Sequence, residues 1–477
     1  MNDNPATPIS IPRAPRALHE HAARLALYLY ALESGFALTL LGLSRLPAFQ
    51  WTQLWTRAGI ATGTGAALLI LSGLLIVREA VQPVENAGRM WFLAASANVI
   101  TVLFTVLLLE GTFRLTAQER THGLSVMHVE IPYAEHELFE RSRRTIGGPD
   151  GNIEFWRWRN TFFVHDAELG WTVGRSRATP DGIYISSEEG LRSRTPGIRL
   201  RDAAPQARVA LVGDSNAFSL EVPYEESWGH YLQELAGVDS QILNFGVDGY
   251  GIDQMYLKYL RDVRPWRPKV VLVGFIENDL WRTMYVYPFL RAWSGYLAKP
   301  RFDDRLPTPA LLNVPLPSPE EILSAKSASE LPYIDHDPWS TRGRWASWMD
   351  KGPLFLRLFN TLLPHWTSDA PRFSEDAIAS LNAWLFVQMR DAMVQDGTTP
   401  IFVYLPNPDS TGDLSRRIFQ RIQIPLFDMS SCVAAVPESS RYVESGWHFS
   451  GLTNKAIAGC ISKEVFKALR EAPASMP

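Results

Sequence analysis

Cysteine is almost missing from this chain: 477 residues carry only Cys432 and Cys460. Two such residues exclude a small disulfide-stapled scaffold, and with no His or Cys neighbours at ligand spacing they give no metal site. The pair could join in an oxidising compartment or stay as two buried thiols. Charge of one sign is scarce too. Lys and Arg number 46 against 50 Asp and Glu, a net charge of −4, and the basic residues are scattered, which excludes a patch that would hold a nucleic-acid backbone. A cleavable signal peptide is not expected: the polar start is long, and no small-x-small site follows the first apolar run before Arg45, Leu46 and Pro47.

Apolar and aromatic residues are plentiful. Hydrophobic residues make up 46% of the chain, enough for a large core plus membrane-embedded structure, and several of the sixteen tryptophans flank apolar segments, where an indole suits a membrane interface. Residues 1–24 form a polar tail with Arg13, Arg16 and Arg24. A membrane module follows over 25–113, with three apolar stretches, Leu25 to Ser44, Gly59 to Val77 and Trp91 to Leu109. Each is close to the roughly twenty residues that cross a hydrocarbon core as a helix. Glu33 is costly at that depth unless it faces a neighbouring helix, and Asn98 is a candidate partner. Gly59, Gly63 and Ala67 recur every fourth residue and would let another helix approach, within the chain or from a membrane-protein partner. With three spans and the tail inside, everything after Arg114 lies outside the cytoplasm, the periplasm if the membrane is a bacterial inner one.

Residues 114–205 read as a polar connector with small strands, carrying Trp156, Trp158 and Trp171. Residues 206–471 read as an α/β domain. Arg208 to Val212, Gln241 to Phe245, Lys269 to Phe275, Pro400 to Leu405 and Ile424 to Phe427 are short apolar runs that suit buried strands. Helical patterns alternate with them at Glu226 to Ala236, Ile252 to Asp262, Ser374 to Gln395 and Leu452 to Arg470. The order predicts a doubly wound, mostly parallel sheet flanked by helices, with ligands beyond the carboxyl ends of the strands. An insertion at about 280–373 interrupts it, and its Trp339 to Trp366 portion is amphipathic, suited to lying on a membrane, covering a pocket or packing on the sheet.

Four segments fall at strand ends: Val209 to Asn216 with Gly213-Asp214-Ser215, Asn244 to Gln254, Gly274 to Asp279, and Trp447-His448 to Asn454. Their order resembles the four sequence blocks of the SGNH, or GDSL, hydrolases, in a bacterial membrane-anchored form; Gly170-Trp171 and Glu189 to Arg192 are similar to segments found upstream in such members. The resemblance covers about the last two-thirds of the chain. It implies a flavodoxin-like fold, a nucleophile at Ser215, a general base at His448, and an oxyanion hole made by the Ser215 and Gly249 amides with the Asn278 side chain. Asp214 would support the turn and Asp279 would cap the segment after Asn278. Asp248 and Asp253 lie close in sequence, but the turn explains them better than a metal or glycosidic carboxylate pair.

The chain departs from the family at one position. An aspartate usually stands three residues before the histidine, and Ser445 stands there here. Glu444 is the expected substitute for orienting the imidazole; a backbone carbonyl holding a Ser–His dyad, or a site without chemistry, are the other readings. The implied function is therefore a membrane-anchored serine esterase, acyl hydrolase or O-acyltransferase acting on acylated envelope glycans or lipids, without a cofactor. The alternative is a catalytically inert accessory subunit of a larger membrane complex.

Overall fold

The computed structural model describes residues 14–43, 57–81, 87–119, 123–126, 129–132, 137, 162–291, 298–303, 305–338, 352–362, 374–408 and 410–471. They fall into two compact units, Met1–Pro132 with Arg342–Asp369, and Tyr133–Thr341 with Ala370–Pro477. The division runs through the expected connector at 114–205, and the middle of the expected insertion belongs to the first unit. Trp156, Trp158, Arg342, Arg344, Trp345 and Trp348 lie outside the described residues.

The first unit begins with helices α1 (Ala14–Leu43), α2 (Arg57–Ala80) and α3 (Ala87–Thr116). They contain the three apolar stretches apart from Ser44, which is outside the described residues. Among the described residues one helix, α3, is long and apolar enough to cross a membrane. Close approach of α1 and α2 runs through Gly35 and Gly65: a Cβ on Gly65 would stand 2.5 Å from the Thr39 nitrogen. The glycine contact is thus within the chain and centred on Gly65, while Ala67 is exposed and the surroundings of Gly59 and Gly63 are outside what is described. With its amide oriented to satisfy both ends, Asn98 donates to Glu33 Oε1 at 3.2 Å and accepts from the Tyr30 amide at 3.1 Å. Asn98 is thus the partner of Glu33 that the sequence offered.

After α3 come three short antiparallel strands, β1 (Gln118–Glu119), β2 (Gly123–Val126) and β3 (Val129–Pro132). The insertion returns here as the helix Leu354–Leu362. Leu354 packs with Val126 and Ile131, and Glu110 Oε2 on α3 accepts the Phe355 amide proton at 3.1 Å. A carboxylate at a helix start satisfies an N–H that has no partner within the helix.

The second unit opens with a hairpin, β4 (Phe163–Asp166) and β5 (Gly170–Val173), and then builds the central sheet. Its strands are β6 (Ala207–Gly213), β7 (Ser240–Asn244), β8 (Val270–Phe275), β9 (Thr399–Tyr404) and β10 (Leu426–Asp428), all parallel, in the order β10-β9-β8-β6-β7. This is the flavodoxin-like order, with its reversal between β6 and β8. The two faces divide the strand residues by alternation. Ala210, Val212, Val271, Val273, Phe275, Phe402 and Tyr404 join one core, and Val209, Leu211, Val270, Leu272, Ile401 and Val403 the other.

Helices cover both faces: α4 (Ser215–Phe218), α5 (Trp228–Ala236), α6 (Ile252–Lys258), α7 (Glu277–Arg282), α8 (Glu375–Gln395), α9 (Asp413–Ile422) and α10 (Gly451–Glu471). Ser374 caps α8 by accepting from the Ala377 amide at 3.1 Å, and Ser227 caps α5 by accepting from His230 at 3.2 Å. Burial of Leu381, Leu385 and Met389 holds α8 on one face, and Ile457, Ile461 and Val465 hold α10 on the other, each worth roughly 1.5–3 kcal/mol.

Cys432, in the short helix Ser430–Ala434, is disulfide-bonded to Cys460 on α10. Of the two states left open by the sequence, the protein adopts the paired one. The bond spans 28 residues that include His448. Two outcomes are expected: the native chain takes up no alkylating reagent without a reductant, and the double variant Cys432→Ser/Cys460→Ser loses about 3–4 kcal/mol of stability in denaturant unfolding, as loop-closure entropy implies.

Candidate active site

Strand β6 ends in Gly213, and Asp214 turns the chain into α4. Its Oδ1 accepts from the Asn216 amide at 2.9 Å and the Ala217 amide at 3.4 Å, so Asp214 is the helix cap and Ser215 the first helical residue. Ser215 is therefore free of the capping role that an isolated serine would take. Its Oγ stands 3.0 Å from His448 Nε2. His448 sits in the loop before α10, 233 residues on in sequence.

The other imidazole nitrogen corrects the sequence expectation. His448 Nδ1 lies 2.5 Å from Glu221 Oε2, whereas Glu444 is exposed. The orienting carboxylate is Glu221, not Glu444. It comes from the loop after α4, and Ser445, three residues before the histidine, donates its hydroxyl to the same Glu221 Oε2 at 2.7 Å. With a carboxylate on Nδ1 the proton resides there, and Nε2 is left to accept from the Ser215 hydroxyl.

The loop that delivers Glu221 is held from beneath by Arg192. Its guanidinium donates to the carbonyls of Phe218, Ser219 (2.5 Å) and Val222 (2.5 Å), and lies 4.6 Å from the Phe218 ring centroid. Burial lowers this guanidinium to about 10. The Tyr184 hydroxyl accepts from the Glu221 amide at 2.7 Å. Such anchoring is needed, because Ser219 and Glu221 adopt left-handed φ values of 61° and 66°, a conformation costing about 1–2 kcal/mol per non-glycine residue.

Gly249 lies in the turn after β7 with φ 76°, a conformation for which glycine is the natural residue. The connector hairpin fixes this turn: Trp171 Nε1 donates to the Asp248 carbonyl at 2.7 Å, and the Tyr250 hydroxyl donates to the Trp171 carbonyl at 2.6 Å. Val247 also donates its amide to the Gly213 carbonyl at 3.0 Å, joining the glycine turn to the turn that carries Ser215. Asn278 stands half-buried in the first turn of α7 at the end of β8. Asp279 caps α7 by accepting from the Ile276 amide at 3.0 Å. Asp253 ion-pairs with the buried Lys299.

Arg282 lies between two buried carboxylates, 2.5 Å from Asp279 Oδ1 and 3.5 Å from Asp214 Oδ2. Burial, and next the Asp214 charge, push the Asp279 carboxyl well above its usual range, while Arg282 pulls it down. Burial lowers the Arg282 guanidinium, and Asp279 and next Asp214 raise it by more, so it stands above its usual range. Sequence reasoning missed Glu221, Arg192 and Arg282. Arg192 alone had a signal, since it closes the Glu189 to Arg192 segment that resembles the family upstream of the nucleophile.

No protein-family model matches this sequence, and no curated protein does. Solved structures similar to the chain include a G-D-S-L family lipolytic protein from Desulfitobacterium hafniense DCB-2, 11% identical, covering 54% of this chain and 98% of its own length at a TM-score of 0.30. A lipase/acylhydrolase from Enterococcus faecalis is 9% identical over 57% of this chain and 100% of its own, with a TM-score of 0.30. An acetylxylan esterase from Geobacillus stearothermophilus is 10% identical over 55% and 95%, with a TM-score of 0.28. At these scores the likenesses carry no weight of their own, and the fold is defined by its strand order.

Replacing Arg192 with Met leaves three buried carbonyls without their donor, and a loss of at least about 2 kcal/mol is expected in thermal or denaturant unfolding.

Proposed function

We propose that the chain is a membrane-anchored serine esterase of the SGNH type that removes or transfers ester-linked acyl groups of envelope glycans or lipids. The observation that carries the chemistry is the Ser215–His448–Glu221 relay, with 3.0 Å and 2.5 Å between successive partners. In the reaction, Ser215 Oγ attacks the ester carbonyl carbon while His448 Nε2 takes the hydroxyl proton. Glu221 holds the imidazole in the required tautomer and stabilises the imidazolium. The amides of Ser215 and Gly249 and the Asn278 side chain stabilise the tetrahedral oxyanion. His448 then returns the proton to the leaving alkoxide, which departs as the alcohol and leaves an acyl-serine. Water or a sugar hydroxyl, deprotonated by His448, attacks that ester and restores the serine.

The membrane part of the reading is supported by α3, where Phe92, Phe104 and Leu107 are each about two-thirds exposed; lipid covers such a face at low cost. The disulfide supports an extracytoplasmic α/β unit, since such bonds persist in oxidising compartments. A scaffold role without chemistry loses the support it drew from the missing aspartate, because Glu221 fills that place.

Fluorophosphonate labelling tests the reading. The purified full chain is expected to take up the probe at one residue, and Ser215→Ala to abolish uptake; a folded wild-type chain that stays unlabelled and hydrolyses no short acyl ester would sink the proposal. Within an active enzyme, Glu221→Gln is expected to lower kcat by about 10²-fold or more, as loss of the orienting carboxylate does in serine triads, whereas Glu444→Gln stays within about threefold of wild type.

A further inference from the structure

Three buried contacts converge on one guanidinium. Arg282 Nη1 donates to the Tyr250 carbonyl at 3.2 Å and to Asp279 Oδ1 at 2.5 Å, and lies 3.5 Å from Asp214 Oδ2. Each partner is the immediate neighbour in sequence of a proposed oxyanion donor: Tyr250 follows Gly249, Asp279 follows Asn278, and Asp214 precedes Ser215. The three donors come from three separate segments, the ends of β6, β7 and β8. The strand ladders stop short of these turns, so the mutual spacing of the donors depends on what bridges them.

We propose that Arg282 is the positioning residue of the oxyanion hole, setting the Ser215 amide, the Gly249 amide and the Asn278 side chain in register for one developing negative charge. This rests on the serine-esterase reading above. The chemistry of the side chain fits the task. All three contacts are made at one nitrogen, Nη1, which the rigid guanidinium plane holds in a fixed direction and always charged, whereas a lysine ammonium sits at the end of a flexible stem. The surroundings also keep it from moving: Arg282 is buried, and the Cβ direction of Gly251 meets the Arg282 Cβ at 3.0 Å, so the backbone of the glycine turn rests on the arginine stem. Oxyanion donors stabilise the transition state far more than the ground state, so displacing them lowers kcat and leaves substrate binding nearly unchanged.

The test compares wild type, Arg282→Lys and Arg282→Ala on a short p-nitrophenyl ester, with far-UV circular dichroism as the check on folding and fluorophosphonate labelling rate as a second readout. The expected result is a fall in kcat of about 30-fold or more in both variants with KM changed less than about threefold. Labelling should slow in parallel, because the phosphonyl oxygen uses the same donors. Added guanidinium ion is expected to restore part of the Arg282→Ala rate and none of the Arg282→Lys rate. Folded variants with kcat within threefold of wild type, or a loss confined to KM, would overturn the proposal. Failure of both variants to fold would overturn it as well, since Arg282 would then be a folding residue. An unlabelled, inactive wild type would overturn the esterase reading along with this one, an outcome distinct from a labelled wild type with unaffected variants.

Discussion

Everything at the site hangs on two strands buried on both faces. In β6 and β8, Val209 to Val212, Val270 to Val273 and Phe275 each belong to one of the two cores, so their register, Val209 against Val270 through Gly213 against Gly274, cannot slip without exposing both. The strand order reverses between them, and their carboxyl ends lie side by side. Ser215 follows one end and Asn278 the other. The hydrophobic effect thus fixes where the two turns begin, and the contacts that bridge the turns set the polar groups on them.

Against that rigid base the carboxylate that meets His448 is a local improvisation. Glu221 reaches His448 from a loop containing two left-handed non-glycine residues, and the cost is offset by Arg192, which satisfies three carbonyls at once. Ser445, at the position where the resemblance implies an aspartate, donates its hydroxyl to the Glu221 carboxylate and helps hold it. A carboxylate in the usual place would stand beside Glu221 and repel it.

The sheet was legible because parallel strands buried on both faces read as Val- and Leu-rich runs, and all five were located to within two residues. Helix α8 announced itself through Ser374 and a long amphipathic pattern. Helix α9 passed unnoticed: Leu414, Ile418 and Phe419 are spaced for one buried face, but charged residues dominate between them. Ser215 and His448 were readable because they sit in short recurring blocks. Glu221 was not, since its pairing joins residues 227 apart and no local pattern marks it. Arg282 is hidden for the same reason, its role being defined by three loops that meet only in the folded sheet.

The route of the chain between its two units has a practical consequence. It passes from the first unit to the second after Pro132, goes back at Arg342, and returns again after Asp369, so the units share three covalent links rather than one. A soluble fragment cut to begin after residue 132 would still carry Leu354–Leu362, but without Val126 and Ile131 to cover Leu354 and without Glu110 to receive the Phe355 amide. That fragment would expose a sticky apolar helix in the middle of its own sequence. Freeing the α/β unit cleanly means replacing residues 342–369 with a short polar linker as well, and a single protease cut between the units would leave them joined.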